Sequence, residues 1–414
     1  MIRRIPDLPL FATALALSAF GIAMVYSAGQ TDTVTFVVNL WKTQLAFCVV
    51  AVLAAFAVQR TSVRFLDWAT PIAYVFTLIL LAATLVLGSG AGTAASSKSW
   101  LRIGGVSIGQ PAELAKITVV LMLARVLANR REPPESLLDL WHPALIVGIP
   151  WVLIMLQPDL GTGIVFIGIF FAMLFWSGVN WRLLLLVASP AISLVLAFST
   201  KVWGAWFIVL LLLVWVYRPY LLEGVALVTV NVLTGVIAPV LWEKLQPYQQ
   251  KRLLVFLDPT IDAKASGYHV IQSQVAIGSG GWTGKGFTLG TQKRLAFLPE
   301  QQTDFIFAVV GEELGFLGVT LALALFLFLF LRIVRVATRA NDAFASLIAF
   351  GLLASWLVHV VENVGMTLNL MPITGIPLPF FSYGGSFMFA SWLAIGMLLL
   401  IAREGRGSGD LLAR

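Results

Sequence analysis

Residues 304–331 read DFIFAVVGEELGFLGVTLALALFLFLFL. From Phe305 onward this is one apolar run. At about 1.5 Å per helical residue it is long enough to cross a hydrocarbon core about 30 Å thick. It opens on an acid, Asp304, and carries two more, Glu312 and Glu313, about 12 Å further along. Ionisable groups at such depth are costly and usually functional. Fold class and first candidate residues therefore both begin here.

Eleven more apolar runs cover roughly 8–28, 37–58, 69–88, 110–128, 143–157, 160–177, 183–199, 203–217, 220–241, 344–371 and 385–402. Of the 414 residues 59% are hydrophobic and 11% charged, against about 25% charged in a soluble domain. Mean hydropathy is +0.92. These figures exclude a soluble enzyme, a disordered scaffold and a nucleic-acid binder. The expected fold is all-α, a polytopic integral membrane helix bundle of about twelve transmembrane helices in a single domain, 1–414. Leu8 to Ser27 is too long for a signal-peptide core of about 7–15 residues and reads as a retained first span. Runs 203–217 and 220–241 are parted only by Arg218-Pro219, which reads as a tight turn, because about 39 residues far exceed one crossing.

The 27 Lys and Arg test this map. With the N-terminus inside, fifteen fall on one side, among them Arg60, Arg64, Arg125, Arg130, Arg131, Arg332, Arg335, Arg339 and Arg403. Only Lys42, Lys98, Arg102, Lys116 and Lys201 fall in the opposite short loops and span ends. The positive-inside rule then puts both termini in the cytoplasm. The other seven lie in the long loop 242–304, where charge does not count against orientation. That loop is glycine-rich from Gly278 to Gly290; without Walker or dinucleotide spacing, a flexible surface loop is an equal reading. One cysteine, Cys48, and three scattered His offer no disulfide framework and no zinc cluster.

The remaining polar groups gather toward the outer leaflet. Glu113 and Lys116 are three apart and share a helix face. Asp159 lies in the turn Gln157–Gly161, and Asp304 opens its span. His359, Glu362 and Asn363 occupy the outer half of run 344–371. An ion carrier places such groups near the midplane. A site at one interface suits a substrate with its tail in the membrane and its polar head outside. Each residue also has a plainer reading. Glu113 and Lys116 neutralise each other; Asp159 and Asp304 cap the helices that follow them; Glu312 or Glu313 orients neighbouring helices; His359 is a satisfied buried donor.

Several blocks resemble one known family. Trp100-Leu101 with Gln110-Pro111-Ala112-Glu113-Leu114-Ala115-Lys116, then Gln157-Pro158-Asp159-Leu160-Gly161-Thr162, are similar to motifs of the SEDS proteins (shape, elongation, division and sporulation). So are Leu298-Pro299-Glu300 through Thr303-Asp304-Phe305, Gly311-Glu312-Glu313-Leu314-Gly315, and Asn363-Val364-Gly365-Met366 with Pro372, Thr374-Gly375 and Ser382-Tyr383-Gly384-Gly385-Ser386. The blocks run in family order over nearly the whole chain. Gly267–Ser273 and Ala276–Gly281 look like the elongation branch rather than the division branch. Two departures stand out. The family usually has ten spans, so 183–241 holds a surplus pair. Where the family often has Arg before the Trp of the third-to-fourth-span loop, this chain has Ser99, with Lys98 and Arg102 nearby.

The resemblance implies a peptidoglycan glycosyltransferase of the bacterial cytoplasmic membrane that polymerises lipid II during elongation. It implies Asp304 as general base, matching the family's essential Asp. Lys116, Arg102, Lys293 and Arg294 are candidate stabilisers of the pyrophosphate leaving group. Glu113, Asp159 and Glu300 are candidates to orient those cations or to hold a divalent ion, Mg or Mn; no organic cofactor is expected. Glu312, Glu313, His359, Asn363, Ser382 and Gly384 are candidate supports of the site. The extracytoplasmic loop 242–304 would align the substrates. A class B penicillin-binding protein transpeptidase and other elongation-complex membrane proteins are the implied partners. The rivals are a lipid II flippase or transporter, a division-type member of the family, and a non-enzymatic scaffold.

Overall fold

The computed structural model describes residues 5–32, 36–90, 99–103, 106–245, 247–262, 266–295, 297–298 and 300–412. All twelve apolar runs are helices. In chain order these are α1 (Leu8–Ala28), α2 (Leu40–Gln59), α3 (Val63–Leu87), α4 (Pro111–Ala128), α5 (Trp141–Met155), α6 (Leu160–Trp176), α7 (Trp181–Leu196), α8 (Thr200–Tyr217) and α9 (Leu221–Lys244). Three helices not expected from the runs, α10 (Pro247–Leu257), α11 (Ser266–Gly280) and the single turn α12 (Thr291–Arg294), build the long loop. The last three are α13 (Ile306–Thr338), α14 (Ala343–Thr367) and α15 (Gly385–Leu412).

Nine segments among the described residues are long and apolar enough to cross a membrane. Those in α6 and α7 are shorter, and α4 carries Glu113, Lys116 and Arg125. Burial sorts the helices into centre and rim. The windows of α14 and α15 are 72% buried, that of α8 only 6%. In the centre α14 packs on α4, α6 and α13, and α15 packs on α2.

The helices α7, α8 and α9 pack mainly on one another. Arg218 ends α8 in the left-handed region at φ 51°, so Arg218-Pro219 is the expected turn. Leu186, Leu210 and Leu227 make a small core of α7, α8 and α9, against which Leu137 also packs. Inside it the Asn231 amide donates to Ser189 Oγ at 2.9 Å, Ser193 donates to Asn231 Oδ1 at 2.5 Å, and Trp206 donates to Ser193 Oγ at 3.0 Å. Apolar packing gives little register between helices in lipid, so such bonds serve to fix it.

Alternating helix directions put the Arg-rich ends together. Arg332 pairs with Asp7, the N-cap of α1, at 2.6 Å, and Arg403 donates to the carbonyls of Gln59 and Thr61. The end of α1, the starts of α2, α4 and α13, and the end of α14 lie at the opposite end. A small antiparallel sheet, β1 (Gly88–Ser89), β2 (Trp100–Ile103) and β3 (Val106–Gly109), leads there into α4.

The glycine-rich loop is packed rather than loose, and α13 is not continuous. Gly315 sits at φ 61°, ψ −158°, a region open essentially to glycine alone. A straight helix would bond Phe316 N to Glu312 O and Leu317 N to Glu313 O. Here Phe316 and Leu317 donate instead to the carbonyls of Gly281 and Trp282, at 2.8 and 3.1 Å. The freed carbonyls of Glu312 and Glu313 accept from Lys285 N and Gly286 N, each at 3.0 Å. The turn 281–286 is thus spliced into the ladder of α13 with every exchanged backbone group satisfied.

Candidate active site

The break in α13 aims two adjacent acids into the loop. Glu313 is fully buried and pairs with the fully buried Lys293, Nζ to Oε1 2.7 Å. It also accepts from Ser27 Oγ at 2.5 Å and from Thr288 N at 3.1 Å, while Lys293 donates to Ser27 Oγ and the Thr288 carbonyl, both at 3.1 Å. Glu312 accepts from Lys285 Nζ and Gln292 N, each at 2.9 Å, and so caps α12 from a distant helix. Arg294 binds Asp32 through two nitrogens at 2.9 and 2.7 Å on the exposed surface. Lys293 is therefore enclosed and spent on Glu313, and Arg294 is committed to Asp32. Neither stands as an open cation for a leaving group, as the sequence had suggested. These acids latch the loop to α13.

A second buried group joins α4 to α14. Lys116 Nζ lies 2.8 Å from Glu113 Oε2 and 2.8 Å from His359 Nε2, with all three residues at most 4% exposed. His359 Nδ1 lies 2.9 Å from the Pro377 carbonyl. That carbonyl only accepts, so Nδ1 carries the proton and Nε2 offers its lone pair to the ammonium. The Phe387 ring stacks on His359 and lies 5.1 Å from Lys116 Nζ. Neutralisation of Glu113 by Lys116, the plainer reading, describes this contact. A cavity of about 20 Å³ adjoins it, lined by Ser355 and Ser391 among others; that is room for one water.

Asp159 is the N-cap of α6. Its Oδ1 accepts from Thr162 N at 3.1 Å and its Oδ2 from Thr162 Oγ1 at 2.9 Å and Gln110 Nε2 at 3.1 Å. The N-cap of α13 is Phe305, and Asp304 lies in the preceding turn, half-buried.

That turn is clamped from below. Asn363 Nδ2 donates to Asp304 O at 2.9 Å and to Ile376 O at 2.8 Å. Ser382 Oγ donates to Thr303 O at 2.6 Å, and Tyr383 N to Gln302 O at 2.9 Å. Gln44 on α2 bridges Ser382 O and Gly384 N, at 3.0 and 3.1 Å. Glu300 Oε2 accepts from Gln302 Nε2 at 3.1 Å and Thr303 Oγ1 at 3.3 Å within the same turn. A side chain on Gly375 would meet Asp304 Oδ2 at 3.2 Å. Asn363, Ser382 and Gly384 thus hold the Asp304 backbone, and the segment Thr374–Pro377 lies beneath it.

The Arg102 side chain, Lys98 and Pro299 lie outside the described residues. Among the described residues no three His, Cys, Asp or Glu side chains converge as a metal cage would. Sequence reasoning had noted Glu362 only for its depth and had missed Gln44, Gln110 and Ser27. Their bonds reach 338, 49 and 266 residues along the chain, beyond any local signal.

The family model of the cell cycle proteins FtsW, RodA and SpoVE matches residues 8–218 and 197–407. This chain belongs to that family. The two matches overlap on 197–218, essentially α8. Among relatives of the FtsW/RodA/SpoVE family, the peptidoglycan glycosyltransferase RodA of Treponema pallidum is 35% identical, covering 95% of this chain and 97% of its own length. The peptidoglycan glycosyltransferase MrdB of Escherichia coli K12 is 34% identical, covering 94% and 90%. A chain from a solved peptidoglycan synthase complex that coordinates polymerization and crosslinking superposes with a TM-score of 0.70 at 28% identity, over 96% of this chain and 98% of that one.

Proposed function

We propose that this chain is a peptidoglycan glycosyltransferase of the elongation type, which polymerises lipid II into glycan strands at the bacterial cytoplasmic membrane. One observation carries the assignment of its base. The buried acids Glu113, Glu312 and Glu313 are engaged with lysines, whereas Asp304 is half-buried on a turn whose backbone is clamped by Asn363 and Ser382. A base needs both access and fixed position.

In the reaction an acceptor sugar hydroxyl gives its proton to the Asp304 carboxylate. Its oxygen bonds to the donor anomeric carbon from the face opposite the leaving group. The bond from that carbon to the pyrophosphate oxygen breaks, and the lipid pyrophosphate departs with the electron pair. Cationic donors stabilise the charge that develops there; Arg102, in β2, is our candidate. Lys116, locked between Glu113 and His359, holds α4 against α14 at the site's floor. The Arg-rich end of the bundle faces the cytoplasm together with both termini, so Asp304 faces the opposite side. A class B transpeptidase would crosslink the emerging strand.

The test is Asp304→Asn in purified protein supplied with lipid II. The variant should keep the wild-type thermal midpoint and lose about 100-fold or more of the polymerisation rate, the usual share of a general base. Substantial retained strand synthesis would remove Asp304 from this role.

A further inference from the structure

Glu362 lies on α14, one residue before the Asn363 block and outside the motifs that carry the family resemblance. It is 3% exposed, and its Oε2 has no hydrogen-bond partner. The Thr374 hydroxyl stands beside the carboxyl and interacts with it, and it has no other hydrogen-bond partner. The Asp159 carboxylate is the other electrostatic neighbour. Thr374 also packs against the first turn of α6, since a side chain on Gly161 would meet its Cβ at 3.2 Å. The next residue, Gly375, abuts Asp304 Oδ2. Glu362 and Asp304 thus flank the two-residue stretch Thr374-Gly375, one carboxyl against each residue.

A buried acceptor with no donor lowers stability, and such groups call for an explanation. Glu113, Glu312 and Glu313 show how the fold treats the other buried acids at this end of the bundle: each meets a lysine. Glu362 is left with an oxygen to spare, immediately before Asn363, the residue that clamps Asp304. The partner it lacks is a donor, and an ionised carboxylate can only accept. A sugar ring brought to Asp304 presents several O–H donors.

We propose that Glu362 is a second substrate-contacting carboxyl, whose Oε2 accepts a hydrogen bond from a sugar hydroxyl while Asp304 acts on the attacking one. The proposal rests on the glycosyltransferase reading above. Thr374 is its companion, able to accept or donate to the same sugar.

The experiment uses full-length Glu362→Val, Glu362→Gln and Thr374→Val proteins with lipid II, and reads KM, kcat and thermal midpoint. Glu362→Val should melt no lower than wild type, because it deletes an unpaired buried acceptor. Its KM should rise about tenfold, equivalent to about 1.4 kcal/mol of binding. Glu362→Gln keeps an accepting oxygen and should recover most of that loss. Thr374→Val should raise KM in the same direction. A lower midpoint with wild-type KM would make Glu362 a structural residue and overturn the proposal, as would wild-type kinetics and midpoint in all three proteins. If Glu362→Val both melts lower and binds worse, Glu362→Gln decides: restored KM supports the contact, and KM left at the valine level overturns it. Failure of the wild-type protein to polymerise lipid II at all would strike the glycosyltransferase reading instead.

Discussion

Lys293→Met separates a leaving-group cation from a structural one. The substitution keeps most of the apolar stem and removes the ammonium. Glu313 would keep its bonds from Ser27 and Thr288 N but lose the only cation paired with it among the described residues, in a place where both side chains are 0% exposed. Breaking one side of such a pair costs about 3–5 kcal/mol, because a buried charge is left uncompensated. Glu313→Gln should cost a similar amount by stranding Lys293. The double variant Lys293→Met/Glu313→Gln removes both charges and leaves an amide oxygen to accept from Thr288 N. It should lose only about 1–2 kcal/mol, a coupling of about 4 kcal/mol or more between neighbours. Urea titration in mixed micelles would measure the three values, and lipid II polymerisation would be assayed beside them. A structural pair predicts that the double variant regains stability and activity together. A double variant as unstable as either single one would refute the geometry. A stable but inactive double variant would return Lys293 to the leaving group.

Two further substitutions test the architecture. Gly284→Ala should cost about 2 kcal/mol or more, because φ is 77° there and the new Cβ would overlap the Glu313 carbonyl. Gly278→Ala, in α11 with nothing near its Cβ, should be neutral or stabilising by up to about 1 kcal/mol; equal thermal midpoints for the two would contradict the spliced turn. Asn231→Leu strips the bonds to Ser189 and Ser193 and should destabilise the α7–α9 layer by about 1–2 kcal/mol. Because that layer has its own small core, kcat for lipid II should stay at the wild-type value, and a large fall in kcat would show that the layer reaches the active site.

What the sequence discloses and what it hides divide along physical lines. A membrane span depends on length and apolarity alone, so all twelve runs, the Arg218-Pro219 turn and the Asp159 cap were legible from neighbouring residues. The breaking of α13 at Gly315 was not, because it has meaning only with the turn 281–286 lodged in the ladder, and nothing local ties Gly315 to that turn. The same limit explains Lys293. By composition it is one cation among several near Asp304; only the fold shows it wholly enclosed and held by Ser27, 266 residues away. Arg218 and Arg294 remain on the surface, as their place between elements suggests. In a chain with 11% charged residues, ion pairs at the Asp304 end join Glu113 to Lys116, Glu312 to Lys285, Glu313 to Lys293 and Asp32 to Arg294. The informative side chain there is one left over. Glu362 fits no motif of the resemblance and was noticed only for its depth, yet it keeps an unpaired oxygen beside Thr374. The other buried acids at that end, Glu113, Glu312 and Glu313, are each matched to a lysine, so a missing partner at Glu362 is stronger grounds for substrate contact than any spacing of residues in the chain.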